Sequence, residues 1–127
     1  FKPVNEKTAK GKVKKIYANI KKERNIKTIP NFWRSIAADP DTLERTWNSL
    51  KQVMQSGSLE PVMKEMIYIA VSMSNSCQYC IKSHILAAKK KGMSDKMLKE
   101  LIAIVAMANE TNRLVESYQV KLDNYLK

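Results

Sequence analysis

With 127 residues, 44% of them apolar and 28% charged, the chain is long enough for a single domain with a real core. Only 3 Gly and 4 Pro argue against a turn-rich β fold, and the longest apolar run, residues 101–108, is far below the ~20 residues a bilayer span needs. The net charge of +11 is uneven: residues 1–27 hold ten Lys/Arg against two Asp/Glu.

In that basic arm Val13, Ile16, Tyr17 and Ile20 recur at i, i+3, i+4 and i+7, which predicts a helix with one face for burial and a solvated lysine face opposite. Phe32, Trp33, Ile36 and Ala37 suggest a short second helix. Asp39-Pro40 offers an N-cap followed by proline at the first helical position. Leu43, Trp47, Leu50 and Met54 mark the face of the helix it starts, with Gly57 as its stop. Ser58 is the expected cap of a fourth helix, with Val62, Met66, Ile69, Ala70 and Met73 inward. Cap-forming residues 74–76 interrupt it. A fifth helix carries Ile81, Ile85 and Ala88 and ends at Gly92, a natural C′ residue. Ser94 opens a sixth, with Met97, Leu101, Ile104, Val105 and Ala108. Asn109 is read as the cap of a seventh, with Leu114, Tyr118, Leu122 and Tyr125. The expectation is an all-α, single-domain bundle of about six or seven helices over residues 1–127. Its many Met and aromatic residues are core packing rather than a cofactor box.

The stretch "NSCQYCIKSH" (residues 75–84) holds both cysteines, Cys77 and Cys80, and the only histidine, His84. With Ser76 as cap, the three lie on roughly one face of the helix that follows. The i, i+3 spacing brings the cysteine Cα atoms to about 5 Å, within disulfide range, so the pair can cycle between dithiol and disulfide without unfolding. A thiol of pKa ~8.5 is only ~3% thiolate at neutral pH, and lowering that pKa by about 2 units corresponds to ~2.7 kcal/mol. A helix N-terminus typically supplies about 0.3–1 kcal/mol. A second group is therefore needed, and His84, one turn from Cys80, is available to take the thiol proton or pair with the thiolate. If helices 59–73 and 77–91 form an antiparallel hairpin, Glu65 lies opposite His84. A carboxylate beside sulfur would raise the thiol pKa, whereas beside imidazole it orients the ring and stabilises its cation. Glu65 thus suits a Glu–His–Cys relay.

The pattern E-x11-C-x-x-C-x-x-x-H, as Glu65, Cys77, Cys80 and His84, resembles the alkylhydroperoxidase D-like family of the carboxymuconolactone decarboxylase superfamily. The order of a basic helix, "IPNFWRSIAADP", a helix and the motif hairpin is similar too. The resemblance implies an all-helical fold, assembly as a homo-oligomer (trimer or hexamer), and reduction of a hydroperoxide substrate. It further implies Cys80 as the peroxide-attacking cysteine, Cys77 as the resolving one, and Glu65 and His84 as the proton relay. A thiol electron donor, lipoylated or thioredoxin-like, is implied as partner. Tyr79 departs from the alkylhydroperoxidase pattern, which has a histidine before the second cysteine. The decarboxylase branch lacks the cysteine pair, so lactone decarboxylation is not expected.

Other readings stay open at this level. Cys77, Cys80 and His84 have the residue types of three zinc ligands, with Glu65 or water as a fourth, although the redox reading needs no metal and no cofactor. The cysteines could equally be a structural staple or buried filler. A basic nucleic-acid-binding module is the remaining class. Yet no Gly-rich phosphate loop is present, no Arg and aromatic residues interleave as a stacking platform, and the basic residues are nearly all Lys, so nucleic acid is not the expected partner. With no apolar signal region at the start and no membrane segment, the expected location is cytoplasmic, where a close cysteine pair reads as catalytic or metal-binding rather than structural.

Overall fold

The computed structural model describes residues 1–127. It is all-helical, with six α-helices, one short 3-10 turn at 124–126 and no strand. No helix is long and apolar enough to cross a membrane. The chain divides into two compact units, Phe1–Gln55 and Ser56–Lys127, and each has its own core.

The first unit contains α1 (Gly11–Arg24), α2 (Asn31–Ile36) and α3 (Pro40–Met54). The face predicted on the basic helix is the buried one: Val13, Ile16, Tyr17 and Ile20 point into a core with Ile29, Trp33, Leu43 and Trp47. The two tryptophans meet edge to face, ring centroids 5.3 Å apart, the arrangement favoured by the ring quadrupoles. Trp47 satisfies its Nε1–H on Asn19 Oδ1 at 2.7 Å, and the Arg24 guanidinium lies over both indoles. Lysines occupy the exposed side, where Lys12 bridges Asp41 and Glu44 at 2.8 Å each; such solvated pairs add little stability. Asp39 caps α3 through the Asp41 amide, with Pro40 at its first position. The helix stops at Met54, where Gln55 turns extended, two residues ahead of the expected stop at Gly57.

The second unit contains α4 (Pro61–Ser74), α5 (Gln78–Lys90) and α6 (Asp95–Ser117). Helix α4 packs against both α5 and α6, around Ile69, Ala88, Met93 and Leu101 with Val62, Met66, Ile85 and Met97 alongside. Glu60 rather than Ser58 holds the N-cap position of α4, because Pro61 at the first helical position sets where the helix begins. Ser94 caps α6 as expected, accepting from the Met97 amide.

No new helix begins at Asn109. Its amide Nδ2 donates to Val105 O at 2.8 Å and to Ser74 Oγ at 3.1 Å, and Thr111 and Asn112 bond back to Ala108 O. Residues that compete with a helix when their side chains seek local backbone groups are here satisfied one turn back along the helix. The two expected helices therefore merge into one of 23 residues. After Ser117 the chain is exposed, and Leu122 and Tyr125 face solvent.

Candidate redox site on the motif hairpin

The turn between α4 and α5 places the cysteines. Helix α4 ends in a paired-bond cap: the Cys77 amide donates to Ser72 O at 2.9 Å and the Ser76 amide to Met73 O at 3.2 Å, with Ser76 left-handed at φ 57°. This is the Schellman arrangement, with serine where glycine is usual. It turns the chain sharply and delivers Cys77, not Ser76, as the N-cap of α5. Cys77 Sγ accepts from the Cys80 amide at 3.4 Å, a role more often played by Ser or Asp. Cys77 and Cys80 form a disulfide, with Cα atoms 5.3 Å apart, close to the distance expected from their spacing.

Glu65 and His84 meet across the hairpin. Glu65 Oε2 lies 2.6 Å from His84 Nδ1, and their side chains are only 5% and 12% exposed. Burial pushes the Glu65 pKa up, but hydrogen bonds from His84 and Lys91 and the charges of those partners together outweigh it and hold the carboxyl below its usual value. A carboxylate in that state only accepts hydrogen bonds. Nδ1 therefore carries the proton it shares with Glu65, and Nε2 is left as the nitrogen able to accept another.

Two contacts were not anticipated from the sequence. Tyr68 stacks on the His84 ring, with centroids 3.6 Å apart and planes inclined by 20°. Lys91 Nζ lies 2.6 Å from Glu65 Oε1. The signal for both was periodicity. Tyr68 is three residues after Glu65 and Lys91 seven after His84, so each shares a helix face with the residue already singled out. The end of α5 repeats the cap seen at the end of α4: the Met93 amide donates to Ala88 O and the Gly92 amide to Lys89 O. Gly92 sits at φ 105°, in the left-handed region, where a side chain is strained. Lys91 is therefore the last residue before the chain turns away, and its long side chain reaches back over the hairpin.

Tyr79 is half-exposed. No group of three or more His, Cys, Asp or Glu side chains comes together with metal-binding geometry.

The hairpin lies inside a wider likeness to known proteins. The carboxymuconolactone decarboxylase family model matches residues 40–120, a span that takes in Glu65, both cysteines and His84. The crystal structure of an alkylhydroperoxidase core from Rhodospirillum rubrum superposes with a TM-score of 0.87 at 42% identity, over 91% of this chain and 85% of that one. Among curated proteins, an alkyl hydroperoxide reductase of Mycobacterium tuberculosis is 24% identical over 110 residues, 87% of this chain but 31% of its own length. An uncharacterised protein of the cox locus of Paracoccus denitrificans is 30% identical over 56 residues, 44% of this chain and 50% of its own length. The chain thus spans half or less of the curated relatives it matches. By the family match over most of its length, and by a close structural likeness that extends beyond it, the chain belongs to the carboxymuconolactone decarboxylase family, in its alkylhydroperoxidase-like branch.

Proposed function

We propose that this protein is a thiol-dependent peroxidase that reduces hydroperoxides through Cys77 and Cys80, with Glu65 and His84 relaying the proton. In the reduced form His84 Nε2 takes the Cys80 proton, while Glu65 holds the ring and stabilises the imidazolium that forms. The Cys80 thiolate attacks the outer oxygen of the peroxide. A sulfur–oxygen bond forms, the oxygen–oxygen bond breaks, and the alkoxide leaves as alcohol with the proton returned from His84. Cys77 then attacks the Cys80 sulfenic acid. The disulfide forms and water leaves. A dithiol donor, lipoylated or thioredoxin-like, reduces the disulfide and is itself oxidised, so each turn converts one peroxide and one dithiol to one alcohol, one water and one disulfide.

The observation carrying this reading is the buried Glu65–His84 contact at 2.6 Å on the same hairpin as the Cys77–Cys80 pair. A purely structural disulfide has no need of a buried charged dyad one turn away. The cysteine pair likewise favours thiol chemistry over lactone decarboxylation. Reduced protein treated with one equivalent of hydroperoxide is expected to yield one equivalent of alcohol and the linked Cys77–Cys80 peptide by mass spectrometry. Two thiols left free, with no sulfenic intermediate, would sink the proposal.

The active form is proposed to be a trimer or hexamer. Met63, Ile67 and Val71 line the exposed side of α4 at i, i+4 and i+8, and Ile104, Met107, Leu114, Val115 and Tyr118 are exposed along α6 and at its end. Stripes of this size are uncommon on isolated soluble chains and usually mark association surfaces. Light scattering should give three or six times the 14.6 kDa protomer mass; a monomer at micromolar concentration would refute the assembly.

A further inference from the structure

We infer that Lys91 is a positioning residue for the Glu65–His84 pair: its ammonium occupies Glu65 Oε1, leaves Oε2 to fix the imidazole, and offsets the carboxylate charge so that the carboxylate does not hold a second proton on the ring. The inference deepens the relay reading and rests on it for its catalytic meaning. Its physical content can be measured without any peroxide.

The argument starts from burial. Glu65 is nearly closed off from water, and each of its oxygens has one partner at 2.6 Å, His84 on Oε2 and Lys91 on Oε1. A buried carboxylate needs a compensating charge close by. Were the imidazole the only partner, that charge would have to come from the imidazolium, which would occupy Nε2 and leave no acceptor for a thiol proton. With the ammonium in place, carboxylate, ammonium and neutral imidazole already sum to zero. The proton on Nε2 then comes and goes with the chemistry instead of being fixed there by the carboxylate.

The placement fits this task. Lys91 lies two turns beyond His84, roughly 10 Å along the helix axis, so only a long side chain spans the gap. Its own side chain is 38% exposed, so the ammonium keeps contact with water. The groups acting on the Glu65 charge are His84 and Lys91. From α4 the imidazole also meets Tyr68, whose stacked ring covers one face. Helix α6 packs on α4 and brings the apolar Met97, Leu98, Leu101 and Val105 to the shared core. Tyr68 restricts the tilt of the ring, while Lys91 sets the charge of its partner.

His84 is the only histidine, so its imidazole resonances are unambiguous by NMR. The titration is followed in the oxidised protein, where no thiol titrates alongside. In Lys91→Met the midpoint should rise by about one pH unit or more, the size of effect expected when a compensating charge next to a buried partner is removed. Lys91→Arg, which keeps charge and reach, should restore the wild-type curve. Lys91→Gln, which keeps a donor but not the charge, should follow the Met variant. Thermal melts of the same samples confirm that folded protein is being titrated, and a variant that fails to fold leaves the other neutral one to decide. Wild-type midpoints in Lys91→Met and Lys91→Gln would overturn the inference, as would Gln behaving like Arg. Failure of the relay itself looks different: His84→Gln would then keep full peroxide turnover, whatever Lys91 does to the titration.

Discussion

Cys80→Ser is expected to lower peroxide turnover to background, a loss of about 10³-fold or more, as for removal of a nucleophile that no neighbour replaces. Cys77→Ser should instead stop multiple turnover while keeping the first step, so that one equivalent of peroxide is consumed and a sulfenic acid is trapped on Cys80. The asymmetry is a real test, because the local forces do not all favour the same sulfur. Cys77 is the N-cap of α5 and its Sγ accepts the Cys80 amide, a setting that stabilises negative charge on Cys77. Cys80 lies in the first turn, four residues before His84, and the proposal makes that imidazole its proton acceptor. The proposal has the acceptor select the attacking cysteine and the N-cap make Cys77 a good thiolate for closing the disulfide and for leaving when it is reduced. If Cys80→Ser retained fast peroxide consumption and Cys77 carried the sulfenic acid, the two roles would be exchanged.

His84→Gln should cut the rate of peroxide reduction by about 10²-fold or more, the usual scale of lost general-base help, and should return the Cys80 thiol toward its ordinary pKa of about 8.5. Glu65→Gln should also be strongly impaired, since a neutral amide neither stabilises the imidazolium nor enforces a proton on Nδ1. Placed in the His84→Gln background, the Glu65 change should add almost nothing, because groups that act as one unit are not additive. The measurements are pH-dependent alkylation of Cys80 and peroxide turnover across the four proteins. Additive losses would mean that Glu65 does not work through His84. Unchanged thiol reactivity in both single variants would leave the cysteine pair as a redox switch or staple without a relay behind it. Glu65→Gln also releases Lys91, but that ammonium is 38% exposed and regains water, so the comparison reports mainly on the histidine.

The residues of the hairpin were readable in the sequence because each obeys a short-range rule. Three reactive side chains at i, i+3 and i+7 share a face whatever the helix packs against, and an antiparallel partner brings Glu65 opposite His84 by rise per residue alone. The same holds for the buried face of α1, the Asp39–Pro40 start of α3, the Ser94 cap and the Gly92 stop. Where short-range rules compete, the tertiary contact decided. Asn109 is as good a cap as Ser94 by type, but the nearby Ser74 hydroxyl and the Val105 carbonyl hold its amide inside a continuous helix. Ser76 is the cap the sequence predicts for α5, but the closing hydrogen bonds of α4 take it up in the preceding turn and leave the cap position to Cys77. Tyr68 and Lys91 could be placed on the right faces by counting, yet not in contact with the dyad, since a stack at 3.6 Å and an ammonium reaching back along the helix depend on rotamers that only the packed hairpin selects. The sequence by itself determined the helical class and the shared faces of its four reactive residues, because those follow from periodicity, and it carried the motif on which the family resemblance rests; the tertiary structure alone decided how the buried charge of Glu65 is shared, because that depends on which side chains can reach it once water has been excluded.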